Sequence, residues 1–528
     1  MRRYVALLAA LALVGGCTAD PADTTPEKQS PGGVLRVLAG SELADLEQPI
    51  LKDVEKATGI TVRLTYTGTL DGVEQVSSGA AGKNFDAIWF SSNRYLELQD
   101  GANGKIGTST KVMSSPVILG LRTAQARELG WDAKRPTWKE IADAAAAKKF
   151  TYGMTNPAAS NSGFSALVGA ASALSGATTA LNDEQVRAVT PQLQGFFSAQ
   201  VLTSGSSGWL ADAFKARPDV TGLINYESVL MNLKQQGTDL TLVYPSDGVV
   251  TADYPLTVLE SADQAAKDRY RRVADYLRRD DVQKKLAGPV NRRPVTASAA
   301  EPEKFPGSLV ELPFPVKLAT ADALIDSYMN TLRRAPRTLY VLDLSGSMQG
   351  ERLAKLKAAM NALTGQDNSL SGRFSKFAGR EQVLLIPFSG KVKPTMRYQV
   401  PAENPATELG RIRNAVDGFQ ADGDTAIYDA LITGYTEAAT EIAKDPSRFT
   451  TIVLLTDGAK TAGRDLAAFK RHLDGLTGDV RRVPVFPVLF GESTVADMEE
   501  VARVTGGRTF DGRQESLQAV FKEIRGYQ

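Results

Sequence analysis

Cysteine and histidine are almost absent from this sequence of 528 residues, which has one of each, Cys17 and His472. A single cysteine excludes a disulfide within the chain, and the two residues together cannot supply the ligands of a structural zinc site. No Gly-x-Ser-x-Gly motif accompanies His472, so a Ser-His-Asp hydrolase is not indicated. We interpret His472, in the helical pattern RDLAAFKRHLDGL, as a surface or hydrogen-bonded side chain.

An excess of charge is also lacking, because 61 Lys and Arg residues balance 60 Asp and Glu residues to give a net charge of +1. Nucleic-acid-binding proteins normally carry a basic excess, so no nucleic-acid partner is expected. The basic stretch KDRYRRVADYLRRDDVQKK, which begins at Lys267, is interleaved with aspartates at helical spacing. It indicates a solvated helix face.

The apolar run near the N-terminus, residues 4–14, is too short to remain as a membrane-spanning helix. With the basic residues before it, MRRYVALLAALALVGGC is typical of a secretory signal covering residues 1–16. Its end, Val14-Gly15-Gly16-Cys17, resembles a bacterial lipobox. That resemblance implies cleavage before Cys17, lipidation of its thiol and anchoring at the extracytoplasmic face of the cell membrane. An ordinary cleaved signal or a buried cysteine are the alternatives.

The stretch after Cys17 is polar and rich in Pro, Thr and Gly, as TADPADTTPEKQSPGG shows. Such a composition cannot bury apolar surface, so residues 17–33 are predicted to be a disordered tether. Cleavage removes Arg2 and Arg3 and lowers the net charge of the mature chain from +1 to −1.

Strand and helix patterns alternate in the region 34–330. VLRVLAGS, ITVRLTYTGT and FDAIWFSS read as strands, and each ends in a hydroxyl-rich turn. This alternation predicts an α/β fold with parallel strands covered by helices. In such sheets ligands bind beyond the carboxyl ends of the strands, beside helix N-termini.

The order of these segments resembles a solute-binding protein of an ABC importer. In that resemblance, KVMSSPVILGLR is the strand that crosses to a second lobe, TGLINYESVLMNLKQQG is the return segment, and LTLVYPSDGVVTADYPL forms the closing strands. The resemblance implies a two-lobed fold and a cleft for a small polar solute. The implied cleft residues are Ser41, Thr69, Ser91, Ser92, Ser160, Asn161, Ser162 and Tyr226, with Glu227 and Tyr244 as further candidates. For each of the hydroxyl and amide residues, a helix cap or turn is the alternative.

The region 336–528 alternates more regularly, from the strand TLYVLD to the final helix ESLQAVFKEIRGY. The pattern predicts a doubly wound, Rossmann-like sheet of about six strands. Asp343 ends the first strand, and Ser345 and Ser347 alternate in the turn that follows. Asp457 ends another buried strand, and Thr425 lies near the start of a helix.

Two carboxylates and three hydroxyls are therefore predicted to meet at one sheet edge. Oxygen donors of this kind suit Mg²⁺, with Ca²⁺ or Mn²⁺ as alternatives. The same five residues resemble the metal-ion-dependent adhesion site of the von Willebrand factor A family, whose DxSxS motif corresponds to Asp343, Ser345 and Ser347. That resemblance implies that a carboxylate of a protein partner completes the metal shell. Asp424 stands where the family often has a small residue.

The sequence offers neither a phosphate-binding Gly-Lys-Ser/Thr loop nor a general base beside these residues, so we do not expect an enzyme. Our leading hypothesis is a lipid-anchored binding protein in which the metal site recognises a partner and the first region binds a solute. The alternative is the substrate receptor of an ABC importer with an accessory C-terminal domain.

Overall fold

The computed structural model describes residues 32–491, 495–513 and 516–528. The predicted signal peptide, Cys17 and nearly all of the predicted tether lie outside these residues. Within them, no helix combines the length and apolar character needed to cross a bilayer.

The described chain forms eleven strands before residue 330 and six after it. The first eleven are β1 (Gly33–Gly40), β2 (Ile60–Thr67), β3 (Ala87–Trp89), β4 (Ile106–Lys111), β5 (Ser115–Arg122), β6 (Tyr152–Thr155), β7 (Gln200–Ser204), β8 (Gly222–Tyr226), β9 (Leu240–Val243), β10 (Thr251–Ala252) and β11 (Pro255–Leu259). The later six are β12 (Pro336–Asp343), β13 (Gln382–Phe388), β14 (Met396–Gln399), β15 (Phe449–Thr456), β16 (Val485–Leu489) and β17 (Phe510–Asp511).

The α-helices follow the same division. Those of the first part are α1 (Lys52–Thr58), α2 (Thr69–Ser77), α3 (Ala81–Asn84), α4 (Arg94–Glu97), α5 (Thr123–Glu128), α6 (Trp138–Ala146), α7 (Asn161–Leu174), α8 (Asp183–Phe197), α9 (Ser207–Lys215), α10 (Glu227–Gln235), α11 (Gln264–Leu277), α12 (Asp280–Ala287) and α13 (Leu318–Ser327). Those of the second are α14 (Glu351–Asn361), α15 (Leu370–Ser375), α16 (Ala406–Asp417), α17 (Ile427–Lys444), α18 (Leu466–Asp474), α19 (Gly478–Arg481), α20 (Val495–Thr505) and α21 (Leu517–Arg525). Short 3₁₀ or π turns cover Ser41–Leu46, Glu47–Leu51, Asp100–Ala102, Ala297–Ala299, Tyr328–Leu332, Gly346–Met348 and Ala362–Gln366.

The first part has two lobes, each built on its own sheet. Lobe 1 has the strand order β2-β1-β3-β11-β4, and lobe 2 has β10-β5-β8-β6-β7 with β9 beside β5. β1 is parallel to β2 and β3, whereas β11 runs antiparallel between β3 and β4. This arrangement confirms the predicted two-lobed α/β fold.

Two details of the predicted crossings differ from the structure. The segment predicted as one crossing strand is divided, since β4 ends at Lys111 in lobe 1 and β5 begins at Ser115 in lobe 2. The segment predicted to return to lobe 1 remains in lobe 2, because β8 pairs with both β5 and β6. The return lies between β10 and β11 instead. Repeating strand–helix patterns identify the elements but not the sheet that each strand joins.

The second part is one six-stranded sheet of order β14-β13-β12-β15-β16-β17, in which β14 alone is antiparallel. Alternate side chains of the central strands point to opposite faces, as the strand period requires. Tyr340 and Leu342 of β12 join one apolar cluster with α16 and α21, and Leu339 and Val341 join another with α17 and α18. Helices therefore cover both faces, as predicted for a doubly wound sheet.

A buried ion pair fixes the last helix of this sheet. The guanidinium of Arg525 donates to both carboxylate oxygens of Glu381 at 2.8 and 2.7 Å, and the two side chains are 2% and 0% exposed. Arg525 also donates to the backbone carbonyls of Ser375 and Lys376, at the end of α15. The ion pair joins α21 to the start of β13, and the two carbonyl hydrogen bonds join α21 to the end of α15. Removal of either Arg525 or Glu381 would leave a buried charge unpaired.

Candidate functional site

The predicted metal site begins at Asp343, the last residue of β12. Asp343 is fully buried, and its two carboxylate oxygens accept hydrogen bonds from the backbone N–H of Ser345 at 2.8 Å and the hydroxyl of Thr456 at 2.7 Å. Burial raises the pKa of the Asp343 carboxyl, and these two hydrogen bonds offset only part of that effect. A buried carboxylate is thus held rigidly at the carboxyl edge of the sheet.

Ser345, Ser347 and Asp457 form a chain of oxygen atoms beside it. The hydroxyl oxygens of Ser345 and Ser347 are 3.1 Å apart, and the Ser347 hydroxyl donates to Oδ1 of Asp457 at 2.8 Å. Ligands at neighbouring corners of a Mg²⁺ octahedron, each about 2.1 Å from the ion, lie about 3.0 Å apart. The spacing of these oxygens therefore suits adjacent positions around one small, hard cation.

Thr425 is brought to the same edge through the backbone. The N–H of Gly346 donates to the carbonyl of Gly423 at 2.8 Å, which joins the serine turn to the loop that carries Thr425. The N–H of Thr425 itself donates to the hydroxyl of Thr461 at 2.8 Å. Gly423 has a φ of +71°, a conformation that glycine adopts without steric cost. The five predicted residues thus belong to one connected set of loops.

Arg352, in the first turn of α14, is a member of this site that the sequence reasoning missed. Its guanidinium lies 2.6 Å from Oδ2 of Asp457; the Arg352 side chain is 38% exposed and that of Asp457 is 0% exposed. Its positive charge offsets the repulsion between Asp457 and the nearby Asp343. The sequence shows only that an arginine lies five residues after Ser347. This spacing alone does not predict that Arg352 contacts Asp457.

The donor set fits a cation bound mainly by hydroxyls and carboxylates. Across the described ranges, no group of three or more His, Cys, Asp or Glu side chains is close enough to hold a metal ion. The predicted donors here are the carboxylates of Asp343 and Asp457 and the hydroxyls of Ser345, Ser347 and Thr425. Oxygen donors without nitrogen or sulfur suit Mg²⁺ better than Zn²⁺.

Asp424, which departs from the family pattern, is exposed at the surface. Its Oδ1 accepts a long hydrogen bond, 3.4 Å, from the hydroxyl of Thr461. The carboxylate therefore stands at the rim of the site in solvent, where water and salt screen its effect on an approaching acidic group.

A cavity of about 710 Å³ lies between the two lobes. Six of the eight residues predicted for a solute cleft line it: Ser41, Thr69, Ser91, Ser92, Ser160 and Asn161. They come from the ends of different strands, as the fold requires for ligands bound beyond strand termini. The lobes also touch directly, since the N–H of Thr69 donates to the carbonyl of Ala159 at 3.1 Å.

Ser162 and Tyr226 do not line the cavity. Ser162 is fully buried and shares hydrogen bonds with Thr155 at 2.7 Å and Ser207 at 2.8 Å. The Tyr226 hydroxyl lies behind the wall and donates to Ser91 at 3.0 Å. Both residues support the wall, because the first turn of a helix and the end of a strand direct only some of their side chains outward.

The two further candidates, Glu227 and Tyr244, form a separate buried cluster. The Tyr244 hydroxyl donates to Glu227 at 2.7 Å, and Glu227 pairs with Arg293 at 2.7 Å. Neither residue lines the cavity between the lobes.

Carboxylates form a part of the cavity wall that the sequence reasoning missed, namely Glu42, Asp71 and Glu74. Oε1 of Glu42 is buried and has no hydrogen-bond partner among the described residues. Burial raises the pKa of the Glu42 and Asp71 carboxyls. Their positions in the sequence could have indicated this role, because Glu42 directly follows the predicted cleft residue Ser41 and Asp71 lies two residues after the predicted cleft residue Thr69.

The second part of the chain also contributes to this cavity. Its lining residues there are Ser371, Ser375, Arg508, Ala519, Lys522 and Glu523. Two cationic side chains thus stand opposite the carboxylates of lobe 1. Each is already paired within its own module, Lys522 with Asp367 at 2.7 Å and Arg508 with Glu523 at 2.7 Å.

A second cavity, of about 790 Å³, separates lobe 2 from the other end of the C-terminal sheet. Six arginines line it: Arg217, Arg334, Arg448, Arg481, Arg482 and Arg503. Each donates to a carboxylate or to a backbone carbonyl of the chain. These guanidinium groups join surrounding segments, and none of the predicted site residues lies in this cavity.

Two regions of the chain match known families. Residues 35–288 match the bacterial extracellular solute-binding protein family, and residues 338–460 match the von Willebrand factor type A domain. The first match includes all eight residues predicted for the solute cleft, and the second includes all five predicted for the metal site. The chain thus has one region similar to bacterial extracellular solute-binding proteins and another similar to the von Willebrand factor type A domain. The second part of the chain, residues 336–528, is called the VWA domain below.

Individual relatives are distant. Inter-alpha-trypsin inhibitor heavy chain H4 of Sus scrofa is 30% identical over 128 residues, which are 24% of this chain and 12% of that protein. The match therefore spans a small part of that relative's length.

Among solved structures, the periplasmic binding protein AfuA from Actinobacillus pleuropneumoniae, with exogenous fructose-6-phosphate bound, is 14% identical; the match covers 57% of this chain and 98% of that chain with a TM-score of 0.45. A von Willebrand factor type A structure from Catenulispora acidiphila is 16% identical and covers 37% of this chain and 42% of that chain with a TM-score of 0.29.

Proposed function

We propose that this chain is a membrane-anchored, extracytoplasmic binding protein that recognises a protein partner through a divalent metal in its VWA domain. The observation that carries the proposal is the oxygen chain at the sheet edge, in which the hydroxyls of Ser345 and Ser347 lie 3.1 Å apart and Ser347 bonds Asp457 at 2.8 Å. The solute-binding domain would sense or bind a small polar solute beside it.

Ser345, Ser347 and Thr425 would hold the ion, with Asp343 and Asp457 acting directly or through water. Mg²⁺ is the expected ion, and Ca²⁺ and Mn²⁺ are alternatives. When bound, the cation offers a coordination position to a carboxylate of the partner. The chain's own contribution is rigidity, since Thr456 and the backbone of Ser345 fix the Asp343 carboxylate before any cation arrives.

Anchoring rests on the sequence of the N-terminus, with lipidation of Cys17 and a tether over residues 17–33. The match to extracellular solute-binding proteins supports an extracytoplasmic location. We propose binding rather than catalysis, because both matched families are binding or adhesion types and the metal edge offers ligands without an evident general base.

Mg²⁺ should raise the melting temperature of the full chain, because a ligand that binds only the folded state stabilises it by mass action. Asp343→Ala should abolish this shift, since it removes the carboxylate at the centre of the loops. Differential scanning fluorimetry over a Mg²⁺ series measures the effect. Asp424→Ala, a matched loss of one carboxylate at the rim, should keep the shift; an equal shift in the parent and Asp343→Ala would refute the site.

Arg352→Gln should strengthen Mg²⁺ binding. The Arg352 guanidinium donates a hydrogen bond to Oδ2 of Asp457. A cation that binds this oxygen must therefore displace the guanidinium. A partly exposed pair is worth about 1 kcal/mol, which corresponds to a roughly fivefold lower dissociation constant. Isothermal titration calorimetry with Mg²⁺ measures the change. Arg352→Lys keeps the charge and should stay close to the parent, and weaker binding by Arg352→Gln would contradict the competition.

Partner recognition is tested by native pull-down from membranes with the full-length protein. We expect a protein that is retained with Mg²⁺ and released by EDTA, and that is lost in Asp343→Ala but kept in Asp424→Ala. A partner retained equally with EDTA and by Asp343→Ala would argue against metal-dependent recognition.

A transport receptor for an ABC importer is the second candidate, favoured by the cavity of about 710 Å³ between the lobes and its hydroxyl lining. A thermal-shift panel of sugars, sugar phosphates, amino acids and inorganic anions on the full chain tests solute binding. We expect a hit that Ser91→Ala together with Asn161→Ala weakens at least about tenfold, since two good hydrogen bonds of about 1 kcal/mol each would be lost. No binding across the panel would count against both solute roles.

A further inference from the structure

The VWA domain lies across the mouth of the cavity between the lobes. Apart from Arg508, the residues that make this contact belong to two segments. The first is residues 367–375, which include α15, and the second is residues 517–527, which include α21. We call these two segments the strap. The strap contributes Ser371, Ser375, Ala519, Lys522 and Glu523 to the cavity lining.

The first segment of the strap holds lobe 1. The backbone N–H and the hydroxyl of Ser371 both donate to Oε2 of Glu74 on α2, at 3.2 and 3.0 Å. Phe374 is 8% exposed and belongs to the main apolar cluster of the two lobes. Polar and apolar contacts therefore join α15 to lobe 1 at the edge of the cavity.

The second segment holds lobe 2. The buried amide of Asn156 donates to the backbone carbonyl of Arg525 at 3.2 Å. The ring of Trp209 on α9 meets that of Tyr527 edge to face, with centroids 4.9 Å apart. Gly526 packs so closely on Gly205 that an added Cβ would come within 2.7 Å of the Gly205 Cα. The two backbones are therefore in close contact at this point.

The two segments are tied to each other. The ammonium of Lys522 lies 2.9 Å from the Ser371 hydroxyl and 2.7 Å from Asp367. Arg525 joins α21 to the end of α15 through the carbonyls of Ser375 and Lys376. Because the two segments of the strap are joined to each other and each contacts one lobe, the strap fixes the angle between the lobes.

We propose that the VWA domain acts as an intramolecular clamp: its strap forms one wall of the solute cavity and holds the two lobes closed. The wall role rests on the proposed solute function, whereas the clamp role rests on the contacts alone. A solute can then enter or leave only when the strap releases one lobe. The class of ligand that fits is a small polar molecule that reaches the carboxylates of lobe 1 and the strap at the same time.

The clamp is tested by the distance between the lobes in the full-length protein without solute. Spin labels are placed at Lys83→Cys in lobe 1 and Arg187→Cys in lobe 2, both exposed positions, with Cys17→Ser to prevent labelling elsewhere. Glu74→Lys removes the acceptor for Ser371 and brings a second cation toward Lys522, so it should release lobe 1. Trp209→Ala removes the ring that packs on Tyr527, so it should release lobe 2.

Pulsed electron resonance should show one distance population in the parent and a second, longer one in each strap variant. We expect the fraction of molecules with the longer distance to rise about tenfold in each strap variant. This factor corresponds to a loss of about 1.4 kcal/mol of contact free energy. Glu97→Lys, the same charge change at an exposed site of lobe 1, should match the parent, and circular dichroism verifies folding.

An unchanged distance in both folded variants would overturn the clamp. Because no solute is present, this result is independent of the thermal-shift panel. If the strap variants open but the thermal-shift panel finds no ligand, the clamp proposal is supported and the solute-binding proposal is contradicted.

Discussion

Two buried carboxylates at the carboxyl edge of one sheet are the constraint on which the C-terminal half depends. Asp343 and Asp457 are 0% and 1% exposed, and placing like charges together out of water is costly unless something offsets them. The chain does so with a hydroxyl from Thr456, a hydroxyl from Ser347 and the guanidinium of Arg352. A divalent cation bound at this edge, as proposed above, would relieve the same repulsion.

The two modules form one connected structure at the solute cavity. α14 begins beside Asp457, with Arg352 in its first turn, and the chain then continues through residues 362–366 into α15, which bonds Glu74 of lobe 1. The buried Arg525–Glu381 pair fixes α21 against the same region. The proposed metal site and the cavity between the lobes are therefore connected through α14 and α15, a continuous stretch of about twenty residues.

The sequence predicted what depends on local pattern. Asp343, Ser345 and Ser347 were identified because a strand end and a two-residue spacing are visible in the chain, and the six-stranded sheet followed from regular alternation. Contacts between segments that are distant in sequence leave no local pattern from which they could be predicted. Arg352 reaches Asp457 over a separation of 105 residues, and Lys522 and Arg508 reach the cavity only because the VWA domain packs on the lobes. Ser162 and Tyr226 were misplaced because adjacency in sequence does not decide which side chain faces a cleft.

The central claim is that the five oxygen-bearing side chains bind one hard cation, and an anomalous difference map from crystals of the full-length protein grown with Mn²⁺ tests it most directly. The account predicts a single strong peak at the carboxyl edge of the VWA sheet, about 2.2 Å from the hydroxyl oxygens of Ser345 and Ser347, with Arg352 withdrawn from Asp457. A map without a peak there, and with the Arg352–Asp457 ion pair still intact at saturating Mn²⁺, would contradict it.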